Sequence, residues 1–130
     1  MTLVGENDFV EVSLDGPRRV VWLKRSARRP RSVAEITAAF SEANRAMSTL
    51  DRARLRLLID LRLSPGNNDP EFESAMARQR AALMNGFVAV AVLVQTAIGA
   101  LQVSRIGRED GVEPPVFTDE HQAIAWLTAR

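Results

Sequence analysis

From residue 32 onward the chain alternates short apolar runs with segments that carry helix-start signals, and a chain with that rhythm has few ways to bury itself. Ser32 with Glu35 three residues later is a capping-box signal, and Val33, Ile36, Phe40, Ala43, Met47 and Leu50 recur behind it at three- and four-residue steps. The stripe is shorter than three heptads and has strands on both sides, so it predicts a helix packed on a core and not a coiled-coil seam. Leu55 to Leu61 predicts a strand centred on Leu57, Leu58 and Ile59, and the turn formers Ser64-Pro65-Gly66-Asn67-Asn68 end it. Asp69 then caps a second helix, with Pro70 at its first position and Glu71 and Glu73 in the first turn, where the helix dipole favours negative charge. Asn85-Gly86 stops it.

Phe87 to Val94 is apolar at every position, which predicts a strand covered on both faces in the middle of a sheet. Thr96 opens a third helix that contains Gly99 and Gly107, Gly111 to Pro115 forms a loop, and Val116-Phe117 is a short strand. Thr118, Asp119 and Glu120 cap a last helix that buries Ile124 and Leu127, with Trp126 at its margin. Upstream, Phe9 to Leu14 alternates apolar and polar residues, Asp15-Gly16-Pro17 turns, and Val20 to Leu23 is β-rich, so the chain starts with a hairpin. The order is β-β-α-β-α-β-α-β-α: an α/β fold with a mostly parallel sheet covered by helices, its crossovers right-handed. No repeat or linker interrupts it, and 130 residues with 46% hydrophobic content suit a single domain over 1–130.

Composition removes several function classes. Without cysteine there is no disulfide, thiolate metal site or cysteine nucleophile, and one histidine assembles no zinc cluster. Seven glycines form neither a Gly-x-Gly-x-x-Gly nor a Walker pattern, so no nucleotide cofactor is expected. Glu6 and Asp8 stand where a signal peptide would be basic and then apolar, and no run reaches a membrane span, so a cytoplasmic protein is expected.

The order of elements, the strand Leu57-Leu58-Ile59-Asp60-Leu61, the apolar run Val88 to Val94, and the ending Val116-Phe117-Thr118-Asp119-Glu120 with Ala123-Ile124-Ala125-Trp126-Leu127 resemble the SpoIIAA-like group of STAS domains. The resemblance covers Phe9 to Leu127 in pattern. It implies a small regulatory domain: the anti-sigma factor antagonists of that group bind a kinase partner around a phosphorylatable serine, and some related domains hold lipids or other small ligands. In the antagonists the serine sits in an Asp-Ser-Ser-Gly-like turn. Here Asp60 is followed by Leu61, Arg62 and Leu63, which leaves Ser64 as the one candidate phosphoacceptor and departs from the motif.

In an open parallel sheet, ligands approach the carboxyl ends of the strands. The segments leaving those ends, Lys24 to Arg31, Arg62 to Asp69, Gln95-Thr96 and Thr118-Asp119, are predicted to meet on one polar rim. Residues 18–31 carry Arg18, Arg19, Lys24, Arg25, Arg28, Arg29 and Arg31 with no acidic residue, a concentration that the net charge of +1 conceals. Guanidinium forks suit carboxylate or phosphate, so Lys24, Arg25, Arg28, Arg29 and Arg31 are the candidates for holding a protein partner or an anion. The plain alternative is a solvated loop in an arginine-rich chain. Nucleic acid is the weaker partner class, because only Trp22 interrupts the patch with an aromatic ring. Asp60 ends a strand at the expected active edge without a second carboxylate or base, and structural hydrogen bonding explains it better than catalysis. His121 and Ser64 lack a nucleophile elbow, and no catalytic residue is assigned.

Two expectations follow: a non-enzymatic regulatory or protein-interaction module that binds through the strand-end rim, or a carrier or sensor of a small apolar or anionic, lipid-like ligand, with Met84, Ala97, Gly99 and Ala100 beside the apolar strand. A closed core points to the first and a cavity to the second.

Overall fold

The computed structural model describes residues 1–66, 69–110 and 113–130. Asn67, Asn68, Gly111 and Val112, read above as loop residues, lie outside the described residues. The elements are β1 (Thr2–Glu6), β2 (Val10–Asp15), β3 (Val20–Arg25), α1 (Val33–Met47), β4 (Arg56–Asp60), α2 (Pro70–Met84), β5 (Val90–Leu93), α3 (Ala97–Asp110), β6 (Val116–Phe117) and α4 (Glu120–Thr128), with a single 3-10 turn at Arg52–Arg54 before β4. Among the described residues no helix is long and apolar enough to cross a membrane.

The six strands pair in chain order, β1-β2-β3-β4-β5-β6. The first three form an antiparallel meander, and β3 through β6 are parallel. The α/β class and the mostly parallel sheet hold, with two corrections. An additional strand, β1, precedes the expected hairpin. The expected middle strand is also displaced: only Val90–Leu93 of the apolar run is strand, Val88 is 51% exposed, and β5 lies one place from the edge while β3 and β4 occupy the middle. The physical reading of the run survives in part, since Val92 faces one helical layer and Ala91 and Leu93 face the other.

Parallel strands laid down in sequence and joined by crossovers of one hand put every connecting helix on the same face. That arrangement is observed. Ile36, Phe40 and Met47 of α1, Met76 and Leu83 of α2, and Ala100 and Val103 of α3 pack in one cluster against Val12, Val21, Leu23, Leu57, Ile59 and Val92. The opposite face carries α4, whose Ala123 and Leu127 pack on Val20, Leu58, Ala91 and Leu93. Each expected helix start is built from the residue types that signalled it. Ser32 Oγ accepts from the Glu35 N–H at 3.1 Å, Asp69 Oδ1 from Glu71 at 3.0 Å, Thr96 Oγ1 from Gly99 at 3.0 Å, and Asp119 Oδ1 from Gln122 at 3.0 Å.

The meander is fixed to α1 by two small residues. Asn7 accepts from the Phe9 and Val10 N–H groups with Oδ1 and donates Nδ2 to the Ala39 carbonyl at 3.1 Å, so one side chain closes the β1–β2 turn and bonds the helix. A Cβ on Gly5 would sit 3.0 Å from Ala46 Cβ, and β1 approaches α1 because none is present.

Leu58 has no exposed surface and seats α4 on the sheet. Leu58→Ala is expected to cost about 2–5 kcal/mol. It should lower the urea midpoint with an unchanged m-value, whereas Leu101→Ala, at a position 71% exposed on α3, should fall within about 0.5 kcal/mol of wild type.

Candidate functional site

The register places the carboxyl ends of the parallel strands in a line: Lys24 pairs with Asp60, Asp60 with Leu93, and Leu93 with Phe117. The segments that follow these strands therefore gather along one edge, which the α1–α3 layer covers on one side and α4 on the other.

On the α4 side, Asp60 is 1% exposed and fully engaged. Its Oδ1 accepts from the Arg62 backbone N–H at 3.1 Å and from Arg62 Nε at 3.0 Å, and its Oδ2 accepts from Arg62 Nη2 at 2.8 Å. The same Nη2 reaches Glu120 Oε1 at 3.1 Å in the first turn of α4. Burial raises the Asp60 pKa, but the side-chain and backbone hydrogen bonds from Arg62 and the charges of Arg62 and Lys24 outweigh it and hold the carboxyl below its ordinary value. The pair ties the end of β4 to the start of α4, and a buried carboxylate whose three hydrogen bonds all come from Arg62 is held in its ionised form as a structural anchor.

The basic stretch divides, with Lys24 on the α4 face beside Asp60 and Arg25 on the three-helix face. Lys24, Arg28, Arg29 and Arg31 are exposed, and Arg28 Nη1 pairs with Asp8 Oδ2 at 2.6 Å. Arg25 corrects the expectation of an exposed cluster, because it is only 4% exposed. It follows Val21 and Leu23 on the inward face of β3, so the alternation of the strand carries it into the helical layer. Its Nη1 donates to the Ser26 carbonyl at 2.7 Å and the Phe9 carbonyl at 3.4 Å, its Nη2 donates to the Arg28 carbonyl at 2.9 Å, and the guanidinium lies over the Phe9 ring, 5.4 Å from its centroid.

Arg25 also lines a cavity of about 170 Å³ between the sheet and helices α1, α2 and α3. Ile59 and Val92 form its floor, Phe40, Phe72 and Met76 one wall, and Val103, Ile106 and Gly107 of α3 another. Its polar contributors are Arg25, Ser64 and Arg80. Of the residues expected beside such a space, Met84 lines it and Ala97, Gly99 and Ala100 do not, because α3 meets the cavity with its later turns. Ser64 is half-buried in the cavity wall and not exposed, since its N–H bonds the Leu61 carbonyl at 3.1 Å and folds the turn onto the helical face. Sequence reasoning missed the inward Arg25 and the Arg62 staple. The two-residue period of β3 was the available signal for the first.

His121 is exposed and lines an open depression with Arg18, Arg19 and Arg56 on the α4 side. Ser64 and His121 thus lie on opposite sides of the sheet and form no hydrolytic pair. No family model, curated protein or solved structure matches the chain.

Removing Arg62 strands a buried carboxylate, so Arg62→Ala should cost about 3 kcal/mol, and because the Asp60 pKa is lowered on folding, the stability it confers is present above about pH 4 and fades as pH falls through the folded-state value. Asp60→Asn should therefore flatten the loss of stability below about pH 4 in an acid-unfolding series. In thermal melts, Arg25→Ser should lower the midpoint by several degrees, at about 4 °C per kcal/mol for a domain of this length, while Arg28→Ser, Arg29→Ser and Arg31→Ser together leave it nearly unchanged.

Proposed function

We propose that this chain is a single-domain, cytoplasmic, non-enzymatic binding module whose working element is the cavity under α2 and α3, where it carries or senses a small apolar ligand. The observation that carries this reading is an apolar space of about 170 Å³ at the strand ends, where α/β sheets take their ligands. A wholly apolar cavity of about 150 Å³ admits benzene, so a space of this size suits a ring or a short chain. Helices stacked on one face of a sequentially ordered parallel sheet support the likeness to STAS domains, and that likeness supports a regulatory use of the bound state. The commitment of the Asp60 carboxylate to Arg62 and the separation of Ser64 from His121 favour binding over catalysis.

A second reading has its own support. Lys24, Arg28, Arg29 and Arg31 project from the same edge, so an acidic protein partner could read the rim, with Ser64 as the phosphoacceptor that the family likeness suggests.

Ligand-observed NMR with benzene and 1-hexanol tests the first reading. Both should show saturation transfer from the wild-type protein, and Ala77→Leu, which adds three carbons to the cavity wall, should abolish it without unfolding the chain. Saturation transfer that persists in Ala77→Leu places binding elsewhere and leaves the rim as the functional surface.

A further inference from the structure

We infer that the cavity selects a small monocarboxylate, an apolar body of about six to eight carbons with its carboxylate on Arg25, a conclusion that rests on the cavity being a ligand site. Burying a guanidinium is costly unless a negative charge accompanies it. Arg25 is 4% exposed, yet the acceptors it meets are the carbonyls of Phe9, Ser26 and Arg28 and the Ser26 hydroxyl, all neutral. Among the described residues no carboxylate lies within ion-pair distance of it, although Asp8 pairs with neighbouring Arg28 and Asp60 with Arg62. The cavity lining contains Arg25 and Arg80 and no acidic residue.

The donor inventory points the same way. A guanidinium has five N–H groups in a planar fork, and the hydrogen bonds of Arg25 run from Nη1 and Nη2. The Nε–H donates to none of the described residues, and the Nε edge of a guanidinium is one of the two that take a carboxylate. Burial lowers the affinity of Arg25 for its proton, as expected of a cation without a compensating charge. Apart from Arg25, Ser64 and Arg80, the lining is aliphatic, aromatic or thioether, and it suits a ligand whose body is apolar.

Hexanoate and hexanamide have nearly the same shape and differ in charge, so titrating both by calorimetry separates the two levels of the argument. The wild-type protein should bind hexanoate about ten-fold more tightly than hexanamide, the range expected for a charge-assisted hydrogen-bonded pair. Arg25→Gln should abolish the preference and leave hexanamide binding in place. Should Arg25→Gln fail to fold, the Arg25 ¹⁵Nε resonance of the wild type serves instead, and it should move with hexanoate and not with hexanamide. Equal affinity for the two ligands, or a ¹⁵Nε resonance that hexanoate does not move, overturns the carboxylate assignment while the cavity stands. Absence of binding by either ligand removes the cavity reading and this inference with it. Tighter binding of hexyl phosphate than hexanoate overturns the choice of carboxylate as the head group.

Discussion

Crossovers of a single hand are the constraint from which the other features descend. Because β3, β4, β5 and β6 are parallel and neighbours in chain order, α1, α2 and α3 have one face available to them, and α4 is left to cover the other. Three helices must then share the apolar surface of six strands, and their order along the chain is also their order across the sheet. Meander and helical layer meet at α1, which buries Ile36, Ala39, Phe40, Ala43 and Met47. Packing thins from there. Helix α2 buries Met76 and Leu83, and among the described residues α3 contributes partly buried side chains such as Ala100 and Val103. The cavity lies where this gradient leaves side chains too few to fill the space between β4, β5, α2 and α3.

The two sides of the strand-end edge solve the burial of charge differently. On the α4 side the carboxylate of Asp60 is matched by Arg62 two residues later, and Glu120 takes up the remaining reach of that guanidinium. On the helical side Arg25 is supported by dipoles and an aromatic face alone. A matched pair makes a fastening. A cation held by neutral groups makes a place where a negative charge is favoured, and the two lie a few residues apart on adjacent strands.

Much of the fold was legible because its signals are local. Ser32, Asp69, Thr96 and Asp119 are caps whose chemistry operates within three residues, and the stripe of α1 is a period that the chain alone displays. Features that depend on distant partners were not legible. Residues 2–6 show weak alternation, and β1 exists because Gly5 admits Ala46 of α1 and because Asn7 ties the turn to Ala39. The run from Phe87 to Val94 announced double coverage but not rank in the sheet, since rank depends on how many strands follow and β6 is a strand of two residues. For Arg25 the charge cluster obscured a nearer signal: counting by twos from Val21 and Leu23 puts it inside, whereas the density of arginines around it suggested solvent.

The sheet's two margins are poor templates for another strand. At one, β6 presents two residues, too few for a ladder; at the other, β1 changes register between Leu3 and Gly5, which breaks the even spacing of its outward N–H and C=O groups. Edges of this kind disfavour the addition of a strand from a second copy of the chain.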